Sequence, residues 1–281
     1  MSIPFSDIQK PTNDLLGRDF YHLSQGAVDV KSVAPNGVAF TVKGKTAKDN
    51  SIAASIESKY TDKASGLTLT QGWNNSNSLD SKIEISELLT PGLKTELITN
   101  LIPNGSRNAK LNFYYQHSLI NTRLFFDLLK GPLATADFTI NQDGFVAGGE
   151  LGYDITSAKV NKYNAGLGYK GPLYSIGLTA TSNLTVFSAA YYHKISPLVE
   201  AGAKATWDSV KSSNVNVEFA TKYQLDSSSF LKAKISDSGL TALSYSQKLN
   251  PGVTLGLGAS FDALKLSEPV HKLGFSLSFA A

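Results

Sequence analysis

The strongest constraint in this chain is a period of two. After about residue 25 and on to the end, apolar and polar side chains alternate. Val38, Phe40 and Val42 interleave with Ala39, Thr41 and Lys43. Leu111, Phe113 and Tyr115 interleave with Lys110, Asn112 and Tyr114, and Val215, Val217, Phe219 and Tyr223 with Asn214, Asn216, Glu218 and Lys222. Successive side chains on a strand point to opposite faces, so each segment has one dry and one wet face. Segments of roughly 8–11 residues suit a tilted strand that crosses a bilayer. Turn signals separate them: Pro35-Asn36-Gly37, Pro91-Gly92, Pro103-Asn104-Gly105, Asp143-Gly144, Gly171-Pro172, Asp237-Ser238-Gly239 and Asn250-Pro251-Gly252. One strand plus turn every ~13 residues predicts about 19 or 20 antiparallel strands.

That many long strands cannot remain an open sheet, because nothing in the sequence caps the edges. Closing the sheet removes them. A barrel of about 19 strands is too wide to fill with side chains, so its interior holds water. The apolar stripe then faces lipid and the polar stripe faces the lumen. A mean hydropathy of -0.10 fits this inside-out arrangement, since alternation averages out. A soluble β-protein binding apolar ligands is the competing fold class. No run approaches the ~18 apolar residues of a membrane helix. The segment MSIPFSDIQKPTNDLLGRDF has neither a secretory core nor the Arg-rich, acid-poor character of a transit peptide.

Ahead of the barrel pattern, Ile8, Leu15, Leu16 and Phe20 fall at near-helical spacing. Pro11 breaks such a segment unless it occupies the first turn, in which case the spacing predicts a helix from about Thr12 to Phe20. It is too short and too charged to span a bilayer. The expected division is residues 1–25 as pore helix and linker, and 26–281 as barrel.

Enzymatic readings find no support. The chain has no cysteine, which removes thiolate nucleophiles, disulfides and thiolate metal sites. His22, His117, His193 and His271 are scattered, so no metal and no cofactor are expected. Gly166-Leu167-Gly168-Tyr169-Lys170-Gly171 matches the dinucleotide fingerprint in letters but leads into another alternating strand instead of a helix. A net charge of +3 without a basic block argues against nucleic acid as a partner.

Alternation places Lys43, Lys45, Lys59, Lys82, Lys94, Lys110, Arg123, Lys204, Lys222, Lys232 and Lys234 in the lumen. It also places Glu57, Glu84, Glu96, Asp127, Asp137, Glu150, Glu200 and Glu218 there, leaving an excess equal to the +3 of the whole chain. Charges lining a pore bias its selectivity, and screening over about 8 Å keeps the bias weak in a wide one. A mild preference for anions such as chloride, phosphate and nucleotides follows.

Four stretches taken in order resemble the eukaryotic mitochondrial porins, the voltage-dependent anion channels, and most closely their fungal members. They are Asp7-Ile8 with Asn13-Asp14-Leu15-Leu16 and Asp19-Phe20-Tyr21-His22; Leu67 to Asn74 followed by Pro91-Gly92-Leu93-Lys94; Gly149 to Asp154 with Ala158-Lys159 and Tyr163-Asn164-Ala165; and Pro269 to Phe279. The resemblance implies a 19-stranded barrel of the mitochondrial outer membrane, antiparallel except for one parallel pair between first and last strands, with the N-terminal helix inside. It implies a voltage-gated, weakly anion-selective channel for ATP, ADP, phosphate, NADH and chloride. It also implies selectivity or gating charges at Asp14, Arg18, Asp29, Lys45, Lys59, Lys94 and Glu150. Lys272, Gly274, Leu277 and Phe279 resemble the signal by which barrel-sorting machinery inserts such proteins.

Membrane lipid and homo-oligomers belong to the same set of implied partners. Gln71 stands where many animal members carry a lipid-facing glutamate linked to hexokinase docking and dimer contacts, so that docking route is not carried over. The family's double-glycine hinge is reduced to Gly26. A protein-import barrel of the same superfamily is the alternative function. It would call for acidic lumenal tracks and a longer N-terminal extension.

Overall fold

The computed structural model describes residues 2–280 except 47–50, 88–89, 104, 130, 132, 212–213 and 268–270. Asn104 of one predicted turn and Pro269-Val270 of the terminal stretch therefore lie outside the described residues. The first half of the wall contains β1 (Gly26–Val33), β2 (Ala39–Thr46), β3 (Ile52–Asp62), β4 (Leu67–Asn74), β5 (Leu79–Ser86), β6 (Leu93–Leu101), β7 (Arg107–Gln116), β8 (Ile120–Asp127) and β9 (Leu133–Gln142). The second contains β10 (Phe145–Asp154), β11 (Lys159–Lys170), β12 (Tyr174–Thr181), β13 (Val186–Lys194), β14 (Val199–Asp208), β15 (Val215–Gln224), β16 (Ser229–Ser236), β17 (Leu240–Asn250), β18 (Val253–Asp262) and β19 (Lys272–Ala280).

Each strand pairs antiparallel with the next in sequence, and β1 pairs parallel with β19, Gly26–Lys31 lying opposite Phe275–Ala280. The parallel pair is a consequence of parity. With an odd number of up-and-down strands, the first and last run the same way when the ring closes. Closure satisfies the backbone groups that a lipid-exposed edge would leave bare.

Residues in register share a face, and the rows separate cleanly by chemistry. Asp29, Lys43, Ser55 and Asn74 form one row across β1–β4. Val42, Ile56, Trp73, Leu79 and Leu101 form the neighbouring row on the other face. The second face is predominantly apolar around the ring and is exposed: Leu167 is 60% exposed, and Phe145 65%. In a bilayer that surface contacts acyl chains.

The turns use the residues their geometry requires. Asp143 (φ +50°) and Gly144 (φ +86°) close the two-residue hairpin between Gln142 and Phe145, the left-handed pair favoured between twisted strands. One irregularity matters for reading faces. Gly152 pairs with Lys162 and Tyr153 with Val160, which leaves Asn161 as an extra residue in β11. This bulge turns Lys162 to the same side as Glu150 although Val160, two residues earlier, faces lipid.

The lumenal segment contains a single helical turn (Phe5–Asp7), α1 (Lys10–Gly17) and a second short turn (Tyr21–Leu23). α1 begins two residues before the expected start and ends three before the expected end. Pro11 sits in its first turn, where a missing N–H breaks no intrahelical bond. Arg18 is extended (φ −81°, ψ 156°) and Asp19 adopts φ +58°, so the chain leaves the helix before Phe20.

Candidate functional site

The segment before β1 lies along the polar face of the wall and crosses it from β8–β9 to β18–β19. At its start, Ser2 Oγ donates to the carbonyls of His117 (2.5 Å) and Ile120 (3.1 Å). Ile3 is held from both sides, its N–H donating to Asn141 Oδ1 (3.1 Å) and its carbonyl accepting from Thr139 Oγ1 (2.6 Å). Gln9 Nε2 donates to the carbonyls of Gly177 and Ser188, both at 3.0 Å. Lys204 reaches Asn13 Oδ1 (2.8 Å), and Ser244 Oγ donates to the Asp19 carbonyl. Because every wall partner comes from the polar face of a closed ring, the segment is inside.

Its apolar residues have somewhere to go because the wall beneath is glycine. A Cβ on Gly166 would come within 3.0 Å of Ile8, one on Gly177 within 2.7 Å of Gln9, and one on Gly202 within 3.0 Å of Leu15. Leu15 and Leu16 form a buried cluster with Ala220. Phe5 and Ile8 do the same with Val146. The two fingerprint-like glycines, Gly166 and Gly168, are thus seats for Phe5 and Ile8 within β11. Further on, burial and the Lys234 and Lys272 ammoniums hold the His22 imidazole below its ordinary pKa, and burial pushes the Tyr21 hydroxyl up.

Wall charges fall into two kinds. Most of the carboxylates are tied to a cation. Glu84 and Glu96 share Lys94 at 2.7 and 2.6 Å, with Lys82 3.1 Å from Glu84. Arg123 grips Asp137 through Nε at 3.0 and 2.8 Å. Lys162 lies 2.7 Å from Glu150, which also accepts from Asn164 Nδ2 at 2.6 Å. Looser pairs join Lys222 to Glu200 (3.7 Å) and Lys234 to Glu218 (3.8 Å). By contrast Lys31, Lys43, Lys45 and Lys59 on β1–β3 face the lumen with Asp29 and Glu57, and among the described residues none of the six forms an ion pair.

The residues singled out in the sequence are therefore dispersed. Asp14 and Arg18 pair with each other on the segment at 2.9 Å. Asp29, Lys45 and Lys59 occupy the unpaired arc, while Lys94 on β6 and Glu150 on β10 are engaged in pairs. On β19, Lys272 and Gly274 point inward, and Leu277 and Phe279 point to lipid. Alternation did not point to Lys162, because of the bulge at Asn161, or to the anchors Ser2, Thr139 and Asn141. Those three are small polar residues on a polar face, with nothing to distinguish them from solvated neighbours.

Gln71 faces lipid on β4, opposite Ser58 and Ser81. Substitution of Gln71→Glu is expected to cost about 1–2 kcal/mol of stability in vesicles at about pH 8, since a carboxylate on the lipid face must be desolvated. The loss should disappear as acidification protonates the new carboxyl. Denaturant titrations at two pH values check this, and equal midpoint shifts at both would refute it.

The sequence profile of the family described as eukaryotic porin matches residues 2–274. The mitochondrial outer membrane protein porin of Candida albicans is 74% identical over 277 residues, covering 99% of this chain and 98% of its own. Non-selective voltage-gated ion channel 1 of Saccharomyces cerevisiae is 47% identical over 285 residues, covering 100% of both chains. Among solved structures, an engineered variant of the Rh. blastica porin shares the fold with a TM-score of 0.53 at 7% identity, over 83% of this chain and 90% of that one.

Proposed function

Since this chain belongs to the eukaryotic porin family and is a voltage-gated channel of the mitochondrial outer membrane, not an enzyme, we propose that it conducts anionic metabolites with weak selectivity. ATP, ADP, phosphate, NADH and chloride are the solutes this reading includes. The unpaired arc on β1–β3 carries it. Four lysines there face two carboxylates, while most acids elsewhere on the wall are neutralised by neighbours. Free charge in the lumen is thus positive on balance, and it acts on passing ions at a distance. Screening over about 8 Å limits this to a bias.

In this reading Lys45 and Lys59 set selectivity directly, and Asp29 tempers them. Asp14, Arg18, Lys94 and Glu150 act through the partners they hold. The inward and outward pattern of Lys272, Gly274, Leu277 and Phe279 supports their role as the strand signal read by sorting machinery, and self-association would use the apolar outer face.

The test is single-channel recording in planar bilayers under a tenfold KCl gradient. The expected result is a reversal potential on the chloride side, reduced by Lys45→Glu or Lys59→Glu and mostly abolished by both together. Cation preference in the unmodified protein would overturn the anion reading and favour a protein-import barrel.

A further inference from the structure

Lys232 is out of place for a lysine on the wall of a water-filled lumen. Lys43, Lys45 and Lys59 are exposed, as solvated charges should be, whereas Lys232 is only 3% exposed. Removing an ammonium from water is unfavourable unless new partners replace the water. Those partners are specific. Its Nζ donates to the Arg18 carbonyl at 2.7 Å and the Asp14 carbonyl at 3.3 Å, and lies 3.8 Å from the Asp19 carboxylate. It also sits 5.0 Å from the centre of the Phe20 ring, which Lys234 approaches to 5.4 Å.

These groups form the C-terminal end of α1 and the three residues after it. Carbonyls at a helix end lack onward partners and carry the negative pole of the helix dipole. Among the described residues, both hydrogen bonds from the Lys232 ammonium go to the lumenal segment and none to the wall. Its neighbours on the wall offer no substitute. Lys222, in register on β15, is a like charge, Ser244 on β17 is itself spent on the Asp19 carbonyl, and the nearby Glu200 carboxylate on β14 is paired with Lys222. Without the segment, Lys232 has no purpose in being buried.

We infer that Lys232 is a positioning residue, a latch that caps α1 and pins the second half of the lumenal segment to β16, keeping the bore clear. The inference rests on the channel reading. The first half has its own fastening at Ser2 and Ile3, and the middle rests on glycine through Leu15. Between Gly17 and β1, Lys232 holds the Arg18 carbonyl and Ser244 the Asp19 carbonyl, and the Phe275 N–H donates to the Gln25 carbonyl at 3.3 Å. Loss of this latch would let Arg18 to Phe20 lift from the wall while the start of the segment stays tied and Tyr21 to Gln25 stay seated on β18 and β19.

The test compares Lys232→Met, which keeps chain length and loses the charge, with Lys232→Arg, which keeps the charge. Lys232→Met is expected to flicker between full and reduced conductance at voltages where the unmodified channel stays open. The time spent undocked should rise about tenfold, the effect of losing charge-assisted hydrogen bonds. Lys232→Arg should remain quiet. Because the chain has no cysteine, Leu16→Cys and Ala220→Cys, which pack in one buried cluster, can be cross-linked selectively. That bond should quieten Lys232→Met.

A Lys232→Met channel as steady as the unmodified one, with the same voltage response, overturns the latch. So does a Lys232→Arg channel that flickers equally. If Lys232→Met yields no folded barrel, Phe20→Leu removes the ring between the two ammoniums and should flicker; a quiet Phe20→Leu overturns the proposal. Absence of conductance in the unmodified protein would instead refute the channel reading, so the two failures are distinguishable.

Discussion

Lys94→Glu is expected to weaken the channel's chloride preference and to destabilise the barrel by about 2 kcal/mol. Glu84 and Glu96 lie directly opposite each other on β5 and β6, each side chain 8% exposed, and the Lys94 ammonium bridges them. Tyr114 Oη completes the group by donating to Glu96 at 2.9 Å. Reversal places three carboxylates together with Lys82 as the remaining cation of the cluster. Removing one partner of a buried pair typically costs 3–5 kcal/mol, and the lumenal side of Lys94 remains wet, which lowers the figure. At Lys45, where no pair is broken, the same reversal should alter the reversal potential and leave stability within about 0.5 kcal/mol. Denaturant midpoints and reversal potentials of both variants decide the matter. Equal stability losses would show that the Glu84–Lys94–Glu96 bridge contributes nothing.

Gly274→Ala is expected to release the end of the lumenal segment from the wall while the barrel itself still forms. A Cβ at that position would collide with the carbonyl oxygens of Tyr21 and Ser24, both backbone atoms that cannot rotate aside. Overpacking of this kind costs about 1–3 kcal/mol, comparable to what holds a short segment in place. Gly44, on the lipid side of β2, has nothing within 4 Å of an added Cβ, so Gly44→Ala is the matched control. Refolding into detergent from the denatured state excludes sorting machinery. A defect there therefore reports on the seat beneath Tyr21, separately from any insertion signal. Limited proteolysis before residue 26 should be fast in Gly274→Ala and slow in Gly44→Ala. Protection in both would mean the segment can shift without detaching.

Much of this architecture was legible because a strand writes its two faces into alternate residues. Each lumenal charge chosen by alternation, from Lys43 on β2 to Lys234 on β16, falls on the inner face in the structure. What escaped has identifiable causes. A bulge adds one residue and inverts local parity, which concealed Lys162 opposite Gly152. Turn counting gives strand number only to within one, so the parallel seam came from family resemblance and not from spacing. The helix end depended on Asp19 entering the left-handed region, which sequence signals only weakly. Gly166 and Gly168 carried a misleading pattern because glycine serves any close approach, whether of a phosphate or of a leucine-sized side chain. Lys232 was correctly placed inside, but its partners belong to a segment whose path depends on the whole ring.

The seam between β1 and β19 also governs how such a cylinder is assembled. Adjacent strands can pair as local hairpins, but Gly26 must find Phe275, about 250 residues away, at a loop-closure cost of about 5 kcal/mol. Closure is therefore the late and slow event. Until it happens the sheet presents two unpaired edges beside apolar faces, a template on which other copies can add. Parallel pairing is also slightly weaker per residue than antiparallel. The junction that forms last is thus the one along which the finished wall would first unzip.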